Sequence, residues 1–494
     1  MFNKVKNYLK EFYYLYFSKE MLSIASLGYG SGVPFSLIFI TYTFHLAEKG
    51  INLRDIGLFG LAGLPFTIKF LWSPLVDGFK IPILHDLLGQ RRSWLLVSQI
   101  LLIVLICKVG FIDPATDMIS IVYYAIIISF VSATYDIAYD AIRVELVSSD
   151  KQGAASGTSI LGYRIGMLMS GGVALILADI YSWKISFIIM GASIGLSLIA
   201  TLFTREPKKP EIESLEQGLK WFNNFIIEPF KTFAREHKKW LYIIVFAVLY
   251  KIGDALLSKM INPFYQQMGF SKTEVAEITK FFGFLMTIIG GIIGGWAVFK
   301  IGIAKSLLWF GIAQAISNLS YVWLASEGHS VAILTIVIIL ENITGAMGTS
   351  AFVAYLSSLC NLRFTATQYA LLTSCASMGR WITNFPAGYM VDAQNGLGLS
   401  WEWFFIITVI ISIPGILMIR FLGVDYNLEL KKIFMKILKT IVILILLASI
   451  IYLLLIIKNL VGLDLFILIL HGFIISSSVL VSSIIIAKAL KDKK

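Results

Sequence analysis

Apolar residues along this chain run in stretches of about 20, the length a helix needs to cross a hydrocarbon core, and polar residues gather in short segments between them. The runs fall near 21–46, 56–77, 93–112, 118–143, 154–178 and 184–204, followed by a hydrophilic stretch from Arg205 to Lys239. A second series falls near 240–266, 275–299, 305–324, 330–357, 366–391 and 401–422, and two more runs lie near 437–457 and 463–488. The pattern predicts an all-α membrane protein with fourteen transmembrane helices. Its expected parts are an N-terminal six-helix bundle (1–204), a cytoplasmic linker (205–239), a C-terminal six-helix bundle (240–422), and two additional helices with a cytoplasmic tail (423–494).

Internal symmetry supports the six-plus-six division. Setting "QGAASGTSILGYRIGMLMSGG" over "QYALLTSCASMGRWITNFPAG" places Gln152 on Gln368, Ala154 on Ala370, Arg164 on Arg380 and Gly172 on Gly388, all at one offset. The segments "EKGINLRDIG" and "QMGFSKTEVAE", after spans one and seven, correspond through Gly50 and Gly269. Duplicated halves predict two bundles related by a pseudo-twofold axis along the membrane normal.

Composition agrees with a bilayer setting: 57% of residues are hydrophobic and 14% charged, and the mean hydropathy is +0.81. The net charge of +11 does not form one basic face, so nucleic acid is not an expected partner. The cations sit instead in alternate loops, at Lys80, Arg91 and Arg92, at Lys151, at Lys208, Lys209, Lys231 and Arg235, at Lys300 and Lys305, and at Lys431 to Lys439. Basic loops stay on the cytoplasmic side, which predicts that both termini are cytoplasmic. The lysines at 4, 6, 10 and 19 precede a long first span without a cleavage pattern, so that span is read as retained. Cys107, Cys360 and Cys375 lack metal-ligand or disulfide spacing. No metal or other cofactor is expected.

An ionisable side chain inside a bilayer is costly and marks a candidate site. Well inside spans lie Lys69, Asp136, Arg164, Lys251, Asp254, Lys259, Glu341 and Arg380, with Asp140 and Arg143 nearer an end. At the helical rise, Lys69, Asp136, Arg164 and Lys251 lie on the order of 12 to 18 Å deep, in one layer. On span four, Asp136, Asp140 and Arg143 are spaced i, i+4 and i+7 and share a helical face, from which Glu145 points away. Asp136 and Asp140 are the candidate proton-coupling residues, with Asp136 facing Arg164 or Lys69. The expected cavity lining is Lys69, Tyr139, Tyr163, Arg164, Lys251, Asp254, Glu341, Arg380 and Trp381. A static network of ion pairs between packed helices is the competing reading.

After span two, "LWSPLVDGF" and "GQRRSW" place Asp77 ahead of Arg91 and Arg92; after span eight, "GGWAVFKIGIAK" repeats the glycines and basic residues without the acid. Asp77, Arg91, Arg92, Arg143, Lys300 and Lys305 are the candidate cytoplasmic gate, with an Asp77–arginine pair and helix-end contacts holding it shut. Plain topology signalling is the alternative for the arginines. The G-x-S-x-G match at Gly191, Ser193 and Gly195 lies inside an apolar run and does not read as a hydrolase elbow. Five histidines without paired spacing argue against an embedded enzyme.

The stretches "GYGSGVPFSL", "IGLFGLAGLPFTIKFLWSPLVD", "SATYDIAYDAIRVEL" and "LGYRIGMLMSGGVALILAD" closely resemble the AmpG permeases of the major facilitator superfamily, and the loops after spans two and eight resemble that superfamily's loop signature. Match density is high from Leu27 to Asp179 and falls in the second half. The resemblance implies a transporter of the bacterial inner membrane, driven by protons; a monomer is the expected state. Its implied cargo is muropeptides of N-acetylglucosamine, anhydro-N-acetylmuramic acid and a short peptide. It marks Gly30, Gly32, Lys69, Asp136, Asp140, Tyr163 and Arg164 as motif positions. It also implies that spans three, six, nine and twelve, which lack mid-span charges, face lipid. The wider family includes acetyl-coenzyme A transporters, so another anionic metabolite is the alternative cargo; a non-transporting sensor or scaffold is the alternative of another class.

Overall fold

The computed structural model describes residues 2–51, 60–207, 223–394 and 396–422. The two runs expected at 437–457 and 463–488 lie outside the described residues. Among the described residues there are helices and no strands. In chain order they are α1 (Phe2–Tyr16), α2 (Lys19–Glu48), α3 (Leu64–Ile68), α4 (Ser73–Gly78), α5 (Leu84–Leu88), α6 (Gln90–Val109), α7 (Met118–Leu146), α8 (Ser149–Ile180), α9 (Trp183–Phe203) and α10 (Glu228–Glu236). There follow α11 (Trp240–Gln267), α12 (Lys272–Ile301), α13 (Ile303–Glu327), α14 (Val331–Ser358), α15 (Thr365–Ile382), α16 (Asn384–Val391) and α17 (Trp401–Met418).

Ten of these helices are long and apolar enough to cross a membrane. The runs expected at 56–77 and 366–391 are broken instead. The first passes from α3 through a tight turn at Lys69–Leu71 into α4, and the second is interrupted at Thr383 between α15 and α16. A third break lies inside α11, which unwinds at Tyr250–Lys251. Lys69 and Lys251 both sit at breaks, where freed backbone polar groups and a cation can share a polar setting within the span.

The chain forms two compact units. One comprises Met1–Lys238, Thr279–Phe310 and Glu341–Ser374, and the other Lys239–Ile278, Gly311–Leu340 and Cys375–Lys494. In the first, α2 and α8 approach through glycine: a Cβ on Gly32 would stand 2.1 Å from the Tyr163 carbonyl oxygen, and one on Gly162 1.9 Å from that of Ala25. Only glycine admits two backbones this close, and the contact gains dispersion energy that lipid cannot replace. The opposite side of α8 meets α12 in the same way, with Gly157 against the Gly291 carbonyl and Gly295 against that of Gly153.

The loop symmetry is visible in the backbone. Gly50 and Gly269 have φ of +74° and +81°, and each ends its helix with the same pair of bonds. Gly50 N–H donates to Ala47 O and Ile51 N–H to Leu46 O, while Gly269 N–H donates to Gln266 O and Phe270 N–H to Tyr265 O. This is the Schellman arrangement, which needs a left-handed residue and so favours glycine.

Candidate functional site

Asp136 and Asp140 are one turn apart on α7 and both line a cavity of about 160 Å³, with Ser31, Tyr139, Ser159, Ile160 and Tyr163 completing its wall. The Ser31 hydroxyl donates to Asp136 Oδ1 at 2.6 Å. Lys69 Nζ lies 3.4 Å from Asp140 Oδ2, and Arg143 Nη2 lies 3.6 Å from Asp140 Oδ1. Asp140 therefore neutralises two cations, while Asp136, among the described residues, accepts from the Ser31 hydroxyl and lies in the opposing fields of Lys69 and Asp140. Tyr139 donates to Ser159 Oγ at 2.6 Å, which fixes the ring at the cavity wall. Tyr163 stands beside Phe35, with ring centroids 6.2 Å apart.

A second polar centre is fully buried at one end of the same unit. Arg91 Nη2 donates to Asp77 Oδ1 and to Glu145 Oε1, each at 2.6 Å, and its Nη1 donates to the Val76 carbonyl at 3.1 Å. Asp77 also accepts from Thr367 N–H and Thr367 Oγ1, both at 2.8 Å, and from Ala366 N–H at 3.4 Å. Those donors form the first turn of α15, so Asp77 caps that helix and faces its positive dipole end. Glu206 accepts from the Arg91 and Arg92 N–H groups at 2.7 and 3.1 Å, capping α6 in the same manner. Burial raises the Glu206 carboxyl above its ordinary value, and the two backbone donors oppose that shift. Arg143 Nη1 donates to Ser357 Oγ on α14 at 3.2 Å, and its guanidinium stands 5.1 Å from the Tyr369 ring on α15, within cation–π range. Close to this centre, Gln368 Nε2 donates to the Pro229 carbonyl of α10 at 3.0 Å.

The second unit has a centre of its own. Lys251 Nζ reaches Asp254 Oδ2 at 3.3 Å and Gln314 Oε1 at 3.1 Å, and Gln314 Nε2 also donates to Asp254.

The sequence matches the Major Facilitator Superfamily over residues 21–384. It is 37% identical to the anhydromuropeptide permease of Escherichia coli K12 across 80% of this chain and 77% of that one. It is 35% identical to AmpG 4 of Rickettsia felis across 83% of this chain and 97% of that protein. This chain belongs to the AmpG-like branch of the major facilitator superfamily. Two solved structures are similar in fold at TM-scores of 0.58: the human organic anion transporter MFSD10, at 12% identity over 81% of this chain and 99% of that one, and the proton:xylose symporter XylE bound to 6-bromo-6-deoxy-D-glucose, at 14% identity over 83% and 96%. The protein is thus a multi-pass membrane protein of a transporter family.

Within this facilitator fold the expected site residues separate. Asp136, Asp140, Tyr139 and Tyr163 line one cavity, and Lys69 joins them by its pair with Asp140. Arg164 makes no ion pair with Asp136; its electrostatic neighbours are Tyr163 and Glu341. Glu341 accepts from Asn342 Nδ2 at 2.8 Å. The expected Asp77–arginine pair forms with Arg91, whereas Arg92 bonds the Thr204 carbonyl at 3.0 Å. Lys300 pairs with Glu11 on α1, and Lys305 is exposed. The side chains of Arg380 and Trp381 lie outside the described residues.

Four partners escaped the reading of sequence. Glu145 was recognised only as pointing away from Asp136, and Glu206 fell within the linker. Ser31 and Thr367 carry no charge, so nothing in a census of buried charges selects them. The signal for Glu145 was its position on the far face of a helix that also carries site carboxylates.

Proposed function

We propose that this protein is a proton-coupled importer of muropeptides, working by alternating access in the bacterial inner membrane as a monomer with both termini cytoplasmic. Its halves, 1–204 and 240–422, are taken as two six-helix bundles joined by the linker 205–239, with two further helices in 423–494. The observation that carries this reading is the 37% identity to an anhydromuropeptide permease over 80% of the chain. The site chemistry supports it. Hydroxyls of Ser31, Tyr139 and Ser159 and the tyrosine rings suit a sugar, and Asp136 suits a transferable proton because a neutral hydroxyl, that of Ser31, donates to it.

In the proposed cycle, the Asp77–Arg91–Glu145 cluster with Thr367, and the Arg143–Ser357 contact, hold the cytoplasmic path closed. Asp136 takes a proton from the periplasmic side with the substrate. Neutralising that carboxylate removes the field that attracts Lys69, which frees Lys69 to bind Asp140 alone and lowers the cost of breaking the gate. Release of the proton on the cytoplasmic side restores the starting charge.

Proteoliposomes under an inward proton gradient test the reading, with labelled muropeptide and labelled acetyl-coenzyme A supplied separately. Muropeptide accumulation that collapses with a protonophore is the expected result. Acetyl-coenzyme A accumulation without muropeptide uptake would assign the other cargo, although a polyphosphate needs free cations and Lys69 is already paired with Asp140. Uptake of neither, by protein shown to be inserted, would leave the sensor or scaffold reading.

A further inference from the structure

Helix α1 presents two chemically different faces. Turning about 100° per residue, Lys6, Lys10, Tyr13, Tyr14 and Phe17 fall within one sector of about 100°, with the lysines leading and the aromatics following. The three rings are 58%, 65% and 59% exposed, and Lys6 and Lys10 are exposed too. Tyr13 stacks on Phe17 with centroids 4.9 Å apart, and Lys10 Nζ stands 5.9 Å from the Tyr14 ring. On the opposite side Leu15 is buried, Tyr16 OH donates to the Ile292 carbonyl of α12 at 2.5 Å, and Glu11 pairs with Lys300 at the end of α12.

We propose that α1 is a lipid-binding brace: its Lys6–Lys10–Tyr13–Tyr14–Phe17 face sits in the headgroup layer of an anionic leaflet, while its other face holds α12 against α8. Position supports the occupant, because Phe17 and Ser18 alone separate α1 from the membrane span that starts at Lys19. The helix therefore emerges at the level of lipid phosphates. Lysines complement those phosphates, and exposed tyrosine and phenylalanine rings lower their free energy at the boundary of hydrocarbon and water. The buried face supplies the consequence. Tyr16 OH lies 2.8 Å from where a Cβ on Gly295 would stand, so α1 reaches the glycine seam between α8 and α12. Holding α1 on the lipid surface favours the closed seam.

The test uses the full chain in nanodiscs of phosphatidylcholine alone or with 30% phosphatidylglycerol, and reads amide hydrogen exchange of residues 2–17, which requires no substrate. Each lysine near an anionic surface changes binding by roughly fivefold. Protection of α1 should therefore be at least fivefold greater with phosphatidylglycerol, and should fall when salt is raised to screening levels. Lys6→Gln with Lys10→Gln should erase the difference while exchange in α7 stays as in wild type. Tyr16→Phe should retain the lipid dependence and speed exchange at the α12 end. Equal protection in the two lipids, or a lipid effect that survives the double lysine variant, would overturn the proposal. So would unchanged α12 exchange in Tyr16→Phe.

Discussion

Asp77→Asn isolates the contact between α4 and α15, because asparagine preserves shape, removes the charge, and turns only one acceptor oxygen toward the helix end. The wild-type carboxylate accepts from Thr367 N–H and Thr367 Oγ1 at 2.8 Å each while facing the first turn of α15. The variant loses one hydrogen bond to a charged group, worth roughly 1.5 kcal/mol, and a charge at a helix N-terminus, worth about 1 kcal/mol when partly buried. Arg91, Asp77 and Glu145 all precede the linker, and Arg91 also bonds Glu145 at 2.6 Å, so with the Arg91 contacts taken as common to both states their loss cancels. The closed state alone should lose about 2 to 3 kcal/mol, a shift of roughly 30- to 150-fold toward the open gate. Thr367→Val removes only the hydroxyl bond and should shift the balance by about fivefold, or 1 kcal/mol. Spin labels at Lys80 and Leu362, both exposed near the contact, report opening as a longer distance population in nanodiscs. If Asp77→Asn is inserted and folded yet keeps the wild-type distance distribution, the gate assignment is wrong.

The remaining predictions concern the cavity, the helix seam and the linker. Asp136→Asn should lose proton-driven accumulation and keep exchange of substrate down its own gradient; wild-type dependence of uptake on external pH in that variant would sink the coupling role. Gly32→Ala places a methyl 2.1 Å from the Tyr163 carbonyl oxygen, so overpacking should cost about 1 to 3 kcal/mol, read as a lower unfolding midpoint, whereas an unchanged midpoint would refute the seam. Glu206 holds its proton to higher pH when folded, because burial raises its pKa. Its favourable contribution is full below the unfolded pKa and is lost as pH rises through the folded one. Glu206→Gln should flatten the part of the stability profile that lies above the ordinary glutamate pKa, and an identical profile in both proteins would count against the linkage.

Sequence alone determined the class of this protein, since the length and purity of the apolar runs are local properties and a charge within such a run is costly wherever it sits. That local cost was enough to find Lys69, Asp136, Asp140 and Arg143. The internal repeat paired the glycines at positions 50 and 269, whose left-handed backbone recurs in the two loops. The pairing of the charges was decided by tertiary structure. The pattern on α7 allowed Asp136 to face Arg164 or Lys69, and packing of α2 against α7 supplied Ser31 as its donor, while the break at Lys69 brought that cation to Asp140. Glu145 and Thr367 joined the buried Asp77–Arg91 cluster because α7 meets α6 and α15 meets α4 there. A transfer cost belongs to one residue and can be read along the chain, whereas a hydrogen bond belongs to two residues as much as 290 positions apart, and only the helix packing fixes which two meet.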